Sequence, residues 1–152
     1  MKVQILQCEP KKWMPLSWLI KLVQGTSYSH YAIGYTSHTG EYIVLDATSK
    51  NTAIKTSKRF LSTYNIINEY TVTLQTDYDT FSLWYEKLLG TPYGVAQLLG
   101  VIIKSSRLGK GIICNELVLR LLHRFTQTHI YDIDTKDLND TDKILRGISD
   151  ER

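Results

Sequence analysis

Two β-rich runs, His30 to Tyr35 and Glu41 to Ala47, flank the polar connection Thr36-Ser37-His38-Thr39-Gly40. A short, glycine-containing polar loop between such runs is the signature of a β-hairpin, and a hairpin commits the chain to an antiparallel sheet. Val3, Ile5 and Cys8 mark a short strand ahead of it, and Tyr64 to Leu74, rich in Ile, Tyr, Val and Thr, marks another behind it. Leu16 to Val23 has the spacing of a helix ended by Gly25, and a helical turn is expected near Ser57 to Leu61. Apolar residues then recur at helical spacing over Tyr78 to Leu89, Val95 to Ile103 and Ile113 to Phe125, with breaks at Gly90-Thr91-Pro92 and Gly109-Lys110-Gly111. Strands first and helices afterwards predict an α+β fold, a small antiparallel sheet packed against helices.

With 152 residues, 43% of them hydrophobic, the chain has the size and core material of a single domain over 1–152. Its core is expected over about 2–125, followed by an acidic tail, 126–152. That tail carries seven acids against four bases, which leaves 14 bases and eight acids on residues 1–125. Within it, Thr135 to Ile148 suggests a last helix docked weakly through Leu138, Ile144, Leu145 and Ile148. A net charge of +3 without clustered cations gives no nucleic-acid footprint. The least interrupted apolar run, Tyr93 to Ile103, has 11 residues, too few to cross a bilayer. Met1 to Glu9 lacks the pattern of a secretory signal, so a cytoplasmic protein is expected. Lysis, a phage particle or a secretion machine would be its route to substrates outside the cell. Two cysteines and four histidines without a paired motif predict neither a disulfide scaffold nor a metal site.

Pairing Tyr35 with Glu41 across the loop sets His30 opposite Asp46, Ala32 opposite Val44 and Gly34 opposite Tyr42. In that register a carboxylate faces an imidazole, and small residues leave room for another element to pack on the hairpin. Asp46 is the nominee for the group that orients His30, and His38 the substitute should the loop close differently. Cys114 stands in the first turn of the last long helix, where unpaired amides and the helix dipole favour a thiolate. On a helical wheel it shares the core stripe with Val118, Leu121 and Phe125, while Glu116 and Arg120 form an exposed pair. A helix-terminal cysteine facing a carboxylate-held histidine is what nucleophilic acyl transfer requires.

The run Leu16 to Thr26, then Tyr28-Ser29-His30, Asp46-Ala47, Gly90-Thr91-Pro92-Tyr93 and Cys114-Asn115-Glu116-Leu117-Val118 resembles the permuted papain-like cysteine amidases. This is the circularly permuted branch of the NlpC superfamily, which includes YiiX-like proteins and, more distantly, lecithin:retinol acyltransferase. In that branch His precedes Cys, as here, and the resemblance covers roughly residues 2–125. It implies a permuted papain-like fold, with His30 as base, Cys114 as nucleophile and Asp46 in a place often held by Glu, whose longer side chain reaches further. The function expected is cleavage of an amide or ester through a Cys114 acyl-enzyme, without a cofactor. The substrate would be a peptidoglycan peptide, an acyl-lipid or a protein. Acyl transfer on the same residues and a non-catalytic binding or phage-structural domain are the alternatives. Tyr28, as a cleft residue or oxyanion donor, and Asn115 are candidate substrate contacts. Lys104, Arg107 and Lys110 are solvated, or guide an anionic substrate or membrane surface. Cys8 is read as packing, and His123 and His129 as lying outside the site.

Overall fold

The first strand, β1 (Lys2–Pro10), is longer than Val3, Ile5 and Cys8 suggest, because it lies inside the sheet and pairs on both sides. The computed structural model describes residues 1–48, 50–94, 113–133 and 136–149. Five strands, β1, β2 (His30–Thr36), β3 (Tyr42–Ala47), β4 (Thr52–Thr56) and β5 (Tyr64–Thr73), form one antiparallel sheet in the order β4-β3-β2-β1-β5. Among the described residues the helices are α1 (Pro15–Gln24), α2 (Ser57–Leu61), α3 (Tyr78–Glu86), α4 (Cys114–Phe125) and α5 (Leu138–Ile148). The architecture is therefore α+β. The helix expected over 95–103 and the cations Lys104, Arg107 and Lys110 lie outside the described residues.

Strand alternation sorts the sheet into two faces. Val3, Ile5, Tyr31, Ile33, Tyr35, Leu45 and Val72 meet Phe81 and Tyr85 of α3, the apolar stripe of α4 and Leu145 of α5 in the main core. Leu6, Cys8, Ala32 and Val44 face the other way and are closed over by Phe60 of α2 with Tyr42 and Tyr64. The strand β4, for which the sequence carries no clear signal, is a short edge strand whose one large apolar residue, Ile54, stays partly exposed. Its stability comes from backbone pairing with β3, which leaves no apolar pattern to read.

The tail helix is more firmly held than its sequence suggests. Leu138, Thr141 and Leu145 are buried, Asp137 and Asp140 form a reciprocal capping box, and Asp142 accepts from Gln7 (2.6 Å) and Tyr70 (2.7 Å). Gln24 of α1 accepts from the Leu138 amide at 2.9 Å, so the first and last helices are stitched together.

The hairpin register differs from the one drawn across Tyr35 and Glu41. Thr36 pairs with Tyr42, Gly34 with Val44 and Ala32 with Asp46. The loop is Ser37 to Glu41, closed by Ser37 N–H to Glu41 O (2.8 Å) and Gly40 N–H to Ser37 O (3.0 Å), with Gly40 at φ 81°. Moving the loop by one residue slips the pairing by two, and an even slip keeps every side chain on its expected face. The room at Gly34 is filled by the hairpin's own Tyr42, whose hydroxyl occupies the place a Cβ at Gly34 would take. Gly34→Ala should therefore displace the Tyr42 ring and cost about 1–3 kcal/mol. Urea unfolding of Gly34→Ala with and without Tyr42→Leu checks this, and the second change should recover most of the loss.

Candidate active site

The two-residue slip changes how His30 and Asp46 meet. They are diagonal neighbours on one sheet face, a separation that side chains of this length span. His30 Nε2 donates to Asp46 Oδ1 at 2.6 Å, with Asp46 fully buried. Lys55 of β4 donates to Asp46 Oδ2, also at 2.6 Å, so both carboxylate oxygens are engaged. Burial pushes the Asp46 carboxyl up, but the charge and hydrogen bond of His30, with those of Lys55, hold it below the usual carboxylate range. Tyr64 stacks on the His30 ring, with centroids 4.7 Å apart and planes 13° from parallel. Ring and carboxylate are thus fixed from three sides.

Cys114 opens α4, and Ile113 at the N-cap supplies no side-chain acceptor to the first-turn amides. Beyond the Ala32–Asp46 pair the β2–β3 ladder stops, and the backbone N–H of Tyr31 turns to the Cys114 sulfur instead. The sulfur also interacts with His30 and Tyr93. Because Asp46 holds Nε2, Nδ1 is the ring nitrogen left for the thiol. Burial pushes the Cys114 thiol up, but the charge of His30 and hydrogen bonds from His30, the Tyr31 amide and Tyr93 bring it below the ordinary thiol value. Burial likewise disfavours the His30 imidazolium, and the charges of Asp46 and Cys114 with their hydrogen bonds outweigh it, raising the pKa to about 10. Both shifts favour a thiolate beside an imidazolium.

Sequence reasoning gave no role to Lys55, Tyr64 or Tyr93. Tyr93 follows a segment tied to β4 by Thr52 N–H to Thr91 O and Gly90 N–H to Thr52 O, both 2.9 Å, with Pro92 bridged to Asn51. The Gly90-Thr91-Pro92 break was the available signal that a constrained turn sets the next side chain. A cleft of about 70 Å³ opens beside His30, lined mainly by Met14, Leu16, Ile20, Ala47, Tyr64 and Tyr93, with Ser17 and Ser29 bonded to each other at its side.

The remaining candidates lie elsewhere. The Tyr28 hydroxyl faces Tyr31 (3.3 Å) and the Leu138 carbonyl (3.4 Å), which ties the loop ahead of β2 to α5. Asn115 donates to the Lys136 carbonyl at 2.6 Å, and neither residue lines the cleft. His38 is exposed and pairs with Asp79 at 2.9 Å, so the carboxylate on His30 is that of Asp46. His123 Nδ1 accepts from the Ile130 amide, and His129 is exposed. Glu116 is a correction: it is buried, and Arg120 reaches back to it at 2.6 Å, because packing around the start of α4 covers more than the apolar stripe. Cys8 is buried directly opposite His30 on β1, beside the site.

Among the described residues, no group of three or more His, Cys, Asp or Glu side chains could hold a metal ion. No helix among them is long and apolar enough to cross a membrane. No family model matches the chain, and no curated protein matches it.

Proposed function

We propose that this protein is a cysteine hydrolase that cleaves an amide or ester through an acyl-enzyme on Cys114. The observation that carries the reading is the chain of contacts from the Cys114 sulfur to His30 and from His30 Nε2 to Asp46. The order of these residues and the α+β architecture are those expected of a permuted papain-like amidase. In the reaction, the thiolate attacks the substrate carbonyl carbon and an S–C bond forms. As the tetrahedral intermediate collapses, the C–N or C–O bond breaks and the imidazolium of His30 gives its proton to the leaving group. His30, now neutral, takes a proton from water as its oxygen attacks the thioester, which releases the acid and restores the thiolate. First-turn amides of α4, which begin at Cys114, are the donors this reading assigns to the developing oxyanion. Asp46 keeps the ring oriented and supports its charge.

The apolar lining of the cleft suits an acyl chain or an apolar peptide side chain. Transfer to another acceptor would use the same acyl-enzyme and differ only in what replaces water. Incubation with peptidoglycan fragments, peptide amides and acyl-lipids, followed by intact-mass and peptide mapping, tests the reading. An acyl adduct on Cys114 is expected from at least one class, and it should vanish in Cys114→Ala. Adducts elsewhere, or none from any class with the thiol shown to be intact, would favour a binding domain.

A further inference from the structure

The helix α1 sits on the body the opposite way round from an ordinary surface helix. Its polar residues are spent on fastening it: Ser17 bonds Ser29, Lys21 bonds Glu9 at 3.1 Å, and Gln24 holds Leu138 and Asn139 of α5. Only Ile20 is buried. The outward half, read around the helix, is Pro15, Trp18, Leu19, Leu22 and Val23, continued by Trp13 and Met14 ahead of it, with no polar residue among them. Trp13 is 77% exposed, Leu22 63% and Trp18 53%. A surface helix normally turns such residues inward, and nothing among the described residues covers them.

We propose that this face of α1 docks on an anionic lipid bilayer. Two of the protein's three tryptophans are here, and tryptophan is the side chain that settles at the boundary of headgroup and acyl chain. Lys11 and Lys12, both exposed, stand at the edge of the patch, on a chain whose residues 1–125 carry 14 bases against eight acids. Apolar residues with tryptophan, rimmed by lysine, have the composition of an interfacial helix. A second copy fits less well, because residues 10–23 hold three lysines and no acid, so a self-paired face gives Lys11 and Lys12 no opposite charge, whereas anionic headgroups do. The patch runs into the cleft beside His30, since Met14 belongs to both and the neighbouring Leu16 lines the cleft, so a docked protein would hold the cleft against the lipid surface.

Flotation with vesicles tests the proposal, and because it reads binding without turnover, its outcome is separate from that of the acyl-enzyme reading. The chain should float with phosphatidylcholine–phosphatidylglycerol vesicles and much less with phosphatidylcholine alone. Tryptophan emission should shift to the blue and be quenched by brominated acyl chains. Trp18→Ser and Leu22→Ser should each weaken binding by about tenfold or more, and Lys11→Gln and Lys12→Gln by about fivefold each. Cys114→Ala, and Leu83→Ser at an exposed leucine of α3, should float like the parent. Circular dichroism confirms that the variants are folded, since every changed side chain on α1 and ahead of it is exposed. No flotation of the folded chain would overturn the proposal, as would equal flotation of all the variants. Lipid-free self-association that buries Trp18 and blocks vesicle binding would overturn it too.

Discussion

His30→Ala should lower kcat/KM by about 10²–10⁴-fold on any substrate that acylates Cys114, with the fold intact. The fold survives because Asp46, fully buried, keeps Lys55 as a partner at 2.6 Å when the imidazole is gone. The reaction should not survive, because among the described residues no other titratable side chain hydrogen-bonded to the sulfur changes protonation near neutral pH: Tyr93 also bonds it, but burial first and then the Cys114 charge push that phenol well above its usual range. The parent's pH profile should reflect the two shifts. Activity should rise as the thiol ionises, with a midpoint below the ordinary thiol value of about 8.5. It should fall as His30 loses its proton, near the raised value of about 10. These midpoints belong to the pair, since each charge supports the other. Asp46→Asn keeps the shape but removes the charge behind the imidazolium, so the falling limb should move toward neutral pH. His38→Ala should leave both limbs in place. An unmoved alkaline limb in Asp46→Asn would remove Asp46 from its orienting role.

The second large effect is chemical selectivity between two thiols. Brief exposure to limiting iodoacetamide at about pH 6.5, where an ordinary thiol is about 1% ionised, should label Cys114 more than about 10²-fold faster than Cys8. Exposure does not explain such a difference, because Cys8 is 0% and Cys114 2% exposed. Ionisation does. Burial, reinforced by the charges of Asp46 and Cys114, pushes the Cys8 thiol far above its usual value, whereas His30, Tyr31 and Tyr93 favour the Cys114 thiolate. His30→Ala should remove most of the selectivity. Equal, slow labelling of both cysteines, read by peptide mass spectrometry, would leave the proposed mechanism without its nucleophile.

The pairing of His30 with Asp46 was legible because a strand has a side-chain period of two. Any even register places both on one face, and the choice among even registers alters only whether they meet directly or diagonally. That choice was not legible, since Ser37 and Glu41 close the loop by hydrogen bonds that another turn of equal length would replace. Cys114 stood out because a glycine-bounded break ahead of an apolar helical pattern locates a helix N-terminus. Lys55 and Tyr93 were given no role. Each owes its position to contacts made by backbone, the β3–β4 ladder in one case and the tie between Thr52 and the Gly90–Thr91 turn in the other. Backbone pairing leaves little trace in side-chain pattern.

Local chemistry and periodicity were enough to specify the hairpin, the faces of its residues and the helix that begins at Cys114. They also specified the end of α1 at Gly25, where the chain takes a left-handed turn at φ 64°. Which way α1 faces, how firmly α5 docks and which groups close around the buried carboxylate of Asp46 were settled only by tertiary packing. Those outcomes depend on partners far apart in the chain, such as Gln7 with Asp142 and Gln24 with Leu138. An apolar helix can be satisfied by a protein core or by an external apolar phase, and its sequence is the same in both cases.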